Sequence, residues 1–302
     1  MSSRWFPLVT IAMFACAGQG DGEDTDAVLV TPDPDVDSYV PGGYRPTEPS
    51  RLVFLGDSIT DGVGASREQL AYPALLTSNA SRQWPDHDEV AIDRSFPSVT
   101  EVIDVSVGGA TTSTMIRDQL PALESQVGGF PASGETIVVY TIGGNDAQGA
   151  LNPLVDADEV MAETLANMEE IIDWFLDPGR FPDGVHVYLT NVYEPTDGEG
   201  QYAGCFFGFN FGARLPVLEQ FNADLRDLGE DKGVSVVDLR GHFLGHGFYH
   251  DDDATPHYDA ADPTLWLEED CIHPNDRGHH EIRRLFHAAI EAEPLALEVE
   301  AD

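Results

Sequence analysis

Ser58, Asp270 and His273 are the residue types from which a nucleophile, an orienting acid and a base can be assembled. A serine hydroxyl attacks a carbonyl carbon once a neighbouring base removes its proton. An imidazole, titrating near neutrality, suits that task. A carboxylate three residues before the imidazole can hold its tautomer through a turn, and Pro274 biases His273 toward an extended backbone. Acyl transfer also needs donors for the oxyanion of its tetrahedral intermediate. Three candidates are the backbone N–H of Ser58, the backbone N–H of Gly109 in "SVGGATT" and the side-chain amide of Asn145 in "GGNDAQG". Glycine at 109 permits close approach.

Each piece alone also has a purely structural reading. Ser58 lies in "GDSITDG", residues 56–62, after the apolar run "RLVFL". Ser, Thr or Asp in that place commonly caps the next helix. The nucleophile-elbow pattern G-x-S-x-G is absent from the chain. Gly108-Gly109 alone reads as a tight turn, Asn145-Asp146 as a turn or cap, and Asp270 with His273 as a structural pair. What favours chemistry is their joint occurrence, in this order, each beyond the end of an apolar run.

Those runs supply the elements. Strands are expected at Arg51–Leu55, Val102–Val107, Thr136–Ile142, Val185–Thr190 and Val234–Leu239. They are short, rich in Val and Ile, and apolar on both faces, as in a covered parallel sheet. Helical patterns alternate with them. "DADEVMAETLANMEEIIDWFL" puts Val160, Met161, Leu165, Met168, Ile171, Ile172 and Phe175 on one face, with Asp156 and Glu159 as a capping box. "LEQFNADLRDLGEDKG" spaces Leu218, Phe221, Leu225 and Leu228 by three and four, with Gly233 as its C-terminal cap. "DRGHHEIRRLFHAAI" turns Ile282, Leu285, Phe286 and Ile290 inward. The alternation implies an α/β/α sandwich around a five-stranded parallel sheet. Sites in such sheets form at the carboxyl ends of the strands, where "GDSITDG", "SVGGATT", "GGNDAQG" and "EEDCIHPND" all fall.

The four stretches resemble the blocks of the SGNH hydrolases, also called the GDSL esterase/lipase family. "GDSIT" is similar to the first block, whose nucleophile falls on Ser58. "DVSVGGATT" is similar to the second, with the oxyanion glycine at Gly109, and "GGND" to the third, with the oxyanion asparagine at Asn145. "DCIHP" is similar to the last, giving Asp270 and His273. The resemblance spans about Leu52 to Ile290 and departs at Asp104, where Asn is common, and at Thr60, where Ser is frequent. It implies a flavodoxin-like three-layer fold and hydrolysis of esters or thioesters without metal or cofactor. The family includes lipases, thioesterases, sugar-ester deacetylases and lysophospholipases, which leaves both halves of the substrate open.

Composition narrows the setting. The 302 residues hold 54 acids against 15 Lys plus Arg, a formal net charge of −39. That field repels phosphate backbones and anionic membrane surfaces and argues against nucleic-acid binding. "MSSRWFPLVTIAMFACAGQG" has one Arg, then an apolar stretch too short to span a bilayer, then small residues. It reads as an export signal over residues 1–17. Two processing routes are legible: cleavage at Ala15-Cys16-Ala17, or lipidation of Cys16 in "MFAC", which would tether the protein to a membrane. Residues 18–49 form an acidic Gly/Pro/Asp-rich linker, 50–292 the hydrolase domain and 293–302 an acidic tail. Processing leaves Cys205 and Cys271, which an oxidising compartment would pair; two buried thiols are the alternative.

Two further constellations are read as structural. His242, His246 and His250 recur every four residues, but Gly241, Gly245 and Gly247 oppose the regular helix that would make them metal ligands. "HDDD" at 250–253 reads as a solvated acidic loop. Phe206, Phe207, Phe209 and Phe211 in "YAGCFFGFNFG" suit either an acyl pocket or loop packing. The expectation is an exported serine esterase acting on a small-molecule or glycan acyl ester. Its alternatives are a carbohydrate O-deacetylase of the same mechanism and a silent surface lipoprotein that binds glycan or lipid.

Overall fold

The computed structural model describes residues 45–292, apart from 80–82, 153, 203, 205–208 and 211. The expected export signal with Cys16, most of the 18–49 linker, Cys205 with Phe206, Phe207 and Phe211, and the 293–302 tail lie outside the described residues.

Five strands form one parallel sheet: β1 (Arg51–Gly56), β2 (Glu101–Asp104), β3 (Thr136–Thr141), β4 (Val185–Thr190) and β5 (Ser235–Val237). Their order is β2-β1-β3-β4-β5, and β1 and β3 pair over their full length from Arg51 opposite Thr136 to Gly56 opposite Thr141. This is the flavodoxin-like order, in which chain direction across the sheet reverses at β1 and β3 and opens a crevice at their carboxyl ends. Every residue of β1 and β3 is buried, which explains their continuous apolar runs.

Among the described residues, six helices of six residues or more accompany the strands: α1 (Tyr72–Thr77), α2 (Leu120–Gln126), α3 (Gly144–Ala150), α4 (Ala157–Leu176), α5 (Leu215–Lys232) and α6 (Asp276–Glu291). Side chains of the central strands alternate between two cores. Val53, Leu55, Val138 and Tyr140 face the helices α4 (Ala157–Leu176) and α5 (Leu215–Lys232). Leu52, Phe54, Ile137 and Val139 face a short helix at Tyr72–Thr77 and the helix α6 (Asp276–Glu291). The result is three layers. As the pattern predicts, α4 buries Met161, Met168, Ile171, Ile172 and Phe175; of the expected capping box only the Asp156 half forms, accepting from the N–H groups of Asp158 and Glu159, while the Glu159 side chain does not reach back. Gly233, at φ +69°, ends α5 in the left-handed conformation that favours glycine.

Three differences have physical reasons. The β2 ladder stops at Asp104, although Val105 and Val107 still donate to Phe54 and Gly56, because the chain there is leaving the sheet edge toward the site. β5 is shorter than expected because Asp238 accepts from the Gly241 N–H and starts a single helical turn at Leu239–Phe243. α6 is buried nearly all round: beside the expected Ile282, Leu285, Phe286 and Ile290 it buries His279, His280, Glu281 and Arg283. The described chain also docks before residue 50, where the Thr47 and Glu48 N–H groups donate to the Glu135 carboxylate.

Candidate active site

β1 ends at Gly56, with φ +132°. A Cβ there would stand 2.3 Å from the Thr141 carbonyl and 2.4 Å from Thr60 Oγ1, so only glycine lets the chain leave the sheet this way. The buried Gln119 side chain clamps both polar groups of Gly56: Oε1 accepts from its N–H at 2.9 Å and Nε2 donates to its carbonyl at 2.8 Å. Asp57 is buried, and its Oδ1 accepts from the Ile59 N–H at 3.0 Å and from Thr141 Oγ1 at 3.3 Å. Burial pushes its carboxyl up to about 7, against the pull of those two hydrogen bonds. Thr60 Oγ1 lies 2.8 Å from the Tyr72 hydroxyl and 2.9 Å from Thr141 Oγ1, so the departure at position 60 forms part of this buried network.

Ser58 is not the cap of this loop. The acceptor for the loop's backbone is Asp57, while the Ser58 hydroxyl turns away, 2.8 Å from His273 Nε2. The opposite ring nitrogen, Nδ1, lies 2.5 Å from Asp270 Oδ2. Asp270 Oδ1 accepts from the backbone N–H groups of Ile272 and His273, each at 3.0 Å. Partial burial pushes the Asp270 carboxyl up, but the His273 ring and those two backbone donors outweigh it and hold it below the usual carboxylate range. Gly64 lets the two loops touch, since a Cβ there would fall 2.1 Å from the Pro274 carbonyl. The Tyr193 hydroxyl donates to the Ile272 carbonyl between them. Cys271 is buried in the same turn, at φ +66°.

The loops after β2 and β3 are clipped together. Asn145 and Asp146 open a short helix, Gly144–Ala150, that follows Gly143 at φ +100°. Asn145 Nδ2 donates to the Ala110 carbonyl at 2.8 Å. Asp146 accepts from the Thr112 hydroxyl at 2.8 Å and from the Thr112 N–H, and burial raises its carboxyl. Gly109, one residue before Ala110, is exposed at φ +79° with no heavy atom within 4 Å of where a Cβ would stand. Ser58 and Asn145 line one cleft; Gly109 lies outside its lining. Asp104, the other departure, accepts from the Ser106 N–H and hydroxyl.

Sequence reasoning did not find Gln119, Tyr72, Thr141 or Tyr193. No pattern ties Gln119 to Gly56, 63 residues away, or Thr60 to Thr141, 81 away. The one available signal was Asp57 inside "GDSIT", a carboxylate directly after an all-apolar strand.

The three spaced histidines have separate partners. His242 bonds Glu281 at 3.0 Å, His246 stacks on Trp266 with ring centres 3.4 Å apart, and His250 Nδ1 lies 2.9 Å from the Gly247 carbonyl. Glu281 is buried, which opposes its ionisation, yet His242, Arg284 and Arg277 together bring its carboxyl down to about 2. Among the described residues no cluster of His, Cys, Asp or Glu is arranged to hold a metal, and no helix is long and apolar enough to cross a membrane.

Comparison with known proteins places this geometry. The family model for the GDSL-like Lipase/Acylhydrolase family matches residues 54–281. Among solved structures the fold is similar to an acetylxylan esterase from Geobacillus stearothermophilus, at 19% identity and a TM-score of 0.51 over 84% of this chain and 98% of that one. It is also similar to the acetyl xylan esterase AlAXEase, at 16% identity and a TM-score of 0.53 over 79% and 98%. No curated protein matches. Since the family match covers most of the chain, the protein belongs to the GDSL-like Lipase/Acylhydrolase family and is a carboxylic ester hydrolase.

Proposed function

We propose that the protein is an exported serine esterase that works through Ser58, His273 and Asp270 and a covalent acyl-enzyme. The observation that carries this reading is the continuous contact from Asp270 Oδ2 to His273 Nδ1 at 2.5 Å and from His273 Nε2 to Ser58 Oγ at 2.8 Å. His273 accepts the Ser58 proton as Oγ bonds to the ester carbonyl carbon. Asp270 orients the ring and stabilises the imidazolium that forms. The carbonyl oxygen becomes an oxyanion held by the N–H groups of Ser58 and Gly109 and by Asn145 Nδ2. One amide hydrogen of Asn145 serves Ala110, which leaves the other for this contact. The imidazolium then protonates the alcohol oxygen as it leaves. Water, deprotonated by the same ring, releases the acid and restores Ser58.

Ser58→Ala should lower turnover of p-nitrophenyl acetate by about 10³-fold or more, and a fluorophosphonate should label only the unsubstituted enzyme. Equal turnover by the variant would overturn the assignment and leave the silent surface-binding reading in its place. A carbohydrate O-deacetylase uses the same groups. Its support is the similarity of the fold to two acetyl xylan esterases. Faster release of acetate from acetylated saccharides than from p-nitrophenyl acetate would select it.

Two processing features complete the proposal. Cys205 and Cys271 form a disulfide that ties the loop after β4 to the Asp270–His273 turn, and non-reducing peptide mapping tests it. The N-terminus directs export, with Cys16 either lipidated or removed; the mass of the mature N-terminus distinguishes the two.

A further inference from the structure

The two loops that supply Gly109 and Asn145 are joined at two neighbouring points. Asn145 Nδ2 donates to the Ala110 carbonyl at 2.8 Å. The next residue, Asp146, accepts from the Thr112 hydroxyl at 2.8 Å and from the Thr112 N–H at 3.1 Å. A third partner comes from outside both loops. Asn167, in the middle of α4, donates through Nδ2 to Thr112 Oγ1 at 3.0 Å. The Thr112 hydroxyl is therefore a bridge, accepting from Asn167 and giving its one hydrogen to Asp146. Thr112 is fully buried, so water does not compete for either bond. Neither Thr112 nor Asn167 lines the cleft beside Ser58.

What the bridge holds is the turn just before it. The Ala110 N–H donates to the Val107 carbonyl at 3.1 Å, which closes Val107–Ala110 as a β-turn. Gly109, at φ +79°, occupies the third position, where a type II turn favours glycine. Its N–H belongs to the middle peptide of that turn, so the turn type sets its direction. The Asn145 amide is planar, so with one hydrogen on the Ala110 carbonyl the direction of the other is also set. Both donors thus take their aim from the backbone at Ala110, and a shift there misaims both together.

We infer that Thr112 and Asn167 are positioning residues for the oxyanion donors: through Asp146 they fasten the Gly109–Ala110 turn to α4, whose apolar face is buried in the core. The inference rests on the serine-esterase reading and extends it to two residues away from the reacting atoms.

The test uses three variants of the full chain. Thr112→Val keeps the shape and the N–H and deletes the hydroxyl, while Thr112→Ser retains it. Asn167→Ala deletes the donor at a half-buried position where alanine suits the helix. On p-nitrophenyl acetate kcat should fall by about 10-fold to 30-fold in Thr112→Val and about threefold to tenfold in Asn167→Ala, with KM within about twofold. Thr112→Ser should stay within about threefold of the unsubstituted enzyme. The Ki of a trifluoromethyl ketone, which forms a tetrahedral oxyanion on Ser58, should rise in each variant by the factor by which kcat falls. A merely structural role would lower the folded fraction and leave that Ki unchanged. In an Asn145→Ala background, Thr112→Val should cost about threefold or less, because one contact that it aims is already gone. If the buried substitution at 112 does not fold, Asn167→Ala carries the Ki test alone. Unchanged Ki values, or losses at 112 and 145 that simply multiply, would overturn the positioning role while an inactive Ser58→Ala leaves the nucleophile standing. Full turnover in Ser58→Ala would instead remove the serine mechanism on which the role depends.

Discussion

Ser58 stands on a loop whose supports are interior: Asp57, Thr60 and Gln119 are each 2% exposed or less. His273 stands on a turn whose Asp270 side chain is 48% exposed. The first is held by hydrogen bonds that reach 12, 63 and 81 residues along the chain, to Tyr72, Gln119 and Thr141. The second is held by bonds within the turn, through Asp270, Ile272 and His273, to which the Tyr193 tether, the abutting Gly64 and the proposed Cys205–Cys271 disulfide add. The nucleophile is thus positioned by the core and the base by a local turn. Damage at the first should appear as altered stability, and damage at the second as lost turnover in a protein that folds normally.

Asp270→Asn is the strongest way to break this comparison. It removes the acceptor that fixes the His273 tautomer, so kcat should fall by about 10³–10⁴-fold. Because the side chain is half in solvent, unfolding in urea should shift by less than about 1 kcal/mol. A much larger loss of stability would mean that the turn is also a structural keystone and the contrast does not hold.

Asp57 tests the other side. Its carboxyl sits at about 7 in the folded protein against 3.8 for the free group. Below pH 3.8 folded and unfolded chains both hold the proton, and the full stability is present. As pH rises the unfolded chain ionises first, so stability is lost until the folded group also ionises near pH 7. Asp57→Asn does not ionise and should escape that loss. Its stability relative to the unsubstituted protein should therefore rise between about pH 4 and about pH 8 by an amount on the order of 4 kcal/mol at most. Parallel pH dependences in urea titrations would show that Asp57 is ionised in the folded state throughout.

Asn145→Ala separates chemistry from support within one residue. The oxyanion contact strengthens as charge develops, so kcat should drop by about 10²–10³-fold with KM little changed. Loss of the bond to Ala110 should add a stability cost of about 1 kcal/mol. A change confined to KM would reduce Asn145 to a substrate contact.

The same division explains what could be read from the amino-acid order. Strands buried on both faces announce themselves as apolar runs, and α4 and α5 as apolar stripes, because each needs only its own residues to show the pattern. The residues assigned to the site were legible because each follows a strand end or a turn within a few positions. The network under Ser58 was not legible, since Gln119, Tyr72 and Thr141 reach Gly56 and Thr60 only after the chain has folded. The surroundings of α6 were hidden for a related reason. Its apolar stripe of Ile282, Leu285, Phe286 and Ile290 is buried as expected, and the segments at Trp84–Val90 and Leu239–Trp266 cover its polar residues as well. His280 stacks on Trp84, Arg283 donates to the Val90 carbonyl, and Glu281 meets His242. A buried carboxylate with three basic partners looks, one residue at a time, like an exposed helix.

Tyr193 joins the two regimes, and its removal gives the smallest and most discriminating effect. The ring packs against Phe243 in the core, 5.0 Å between centres, while the hydroxyl reaches out to the Ile272 carbonyl next to His273. Tyr193→Phe keeps the ring and deletes one hydrogen bond, worth about 0.5–1.5 kcal/mol. If that bond serves mainly to hold the turn, the freed energy appears as a wider spread of His273 positions. kcat on p-nitrophenyl acetate should then fall by about threefold to tenfold with KM unchanged. If it serves the core, the melting temperature should drop and kcat stay within error, since the Asp270 and backbone bonds alone would suffice to aim the ring. The first outcome makes the hydroxyl the point at which the rigid sheet steadies the exposed base. The second confines the influence of the core to Ser58 and leaves the base to its own turn.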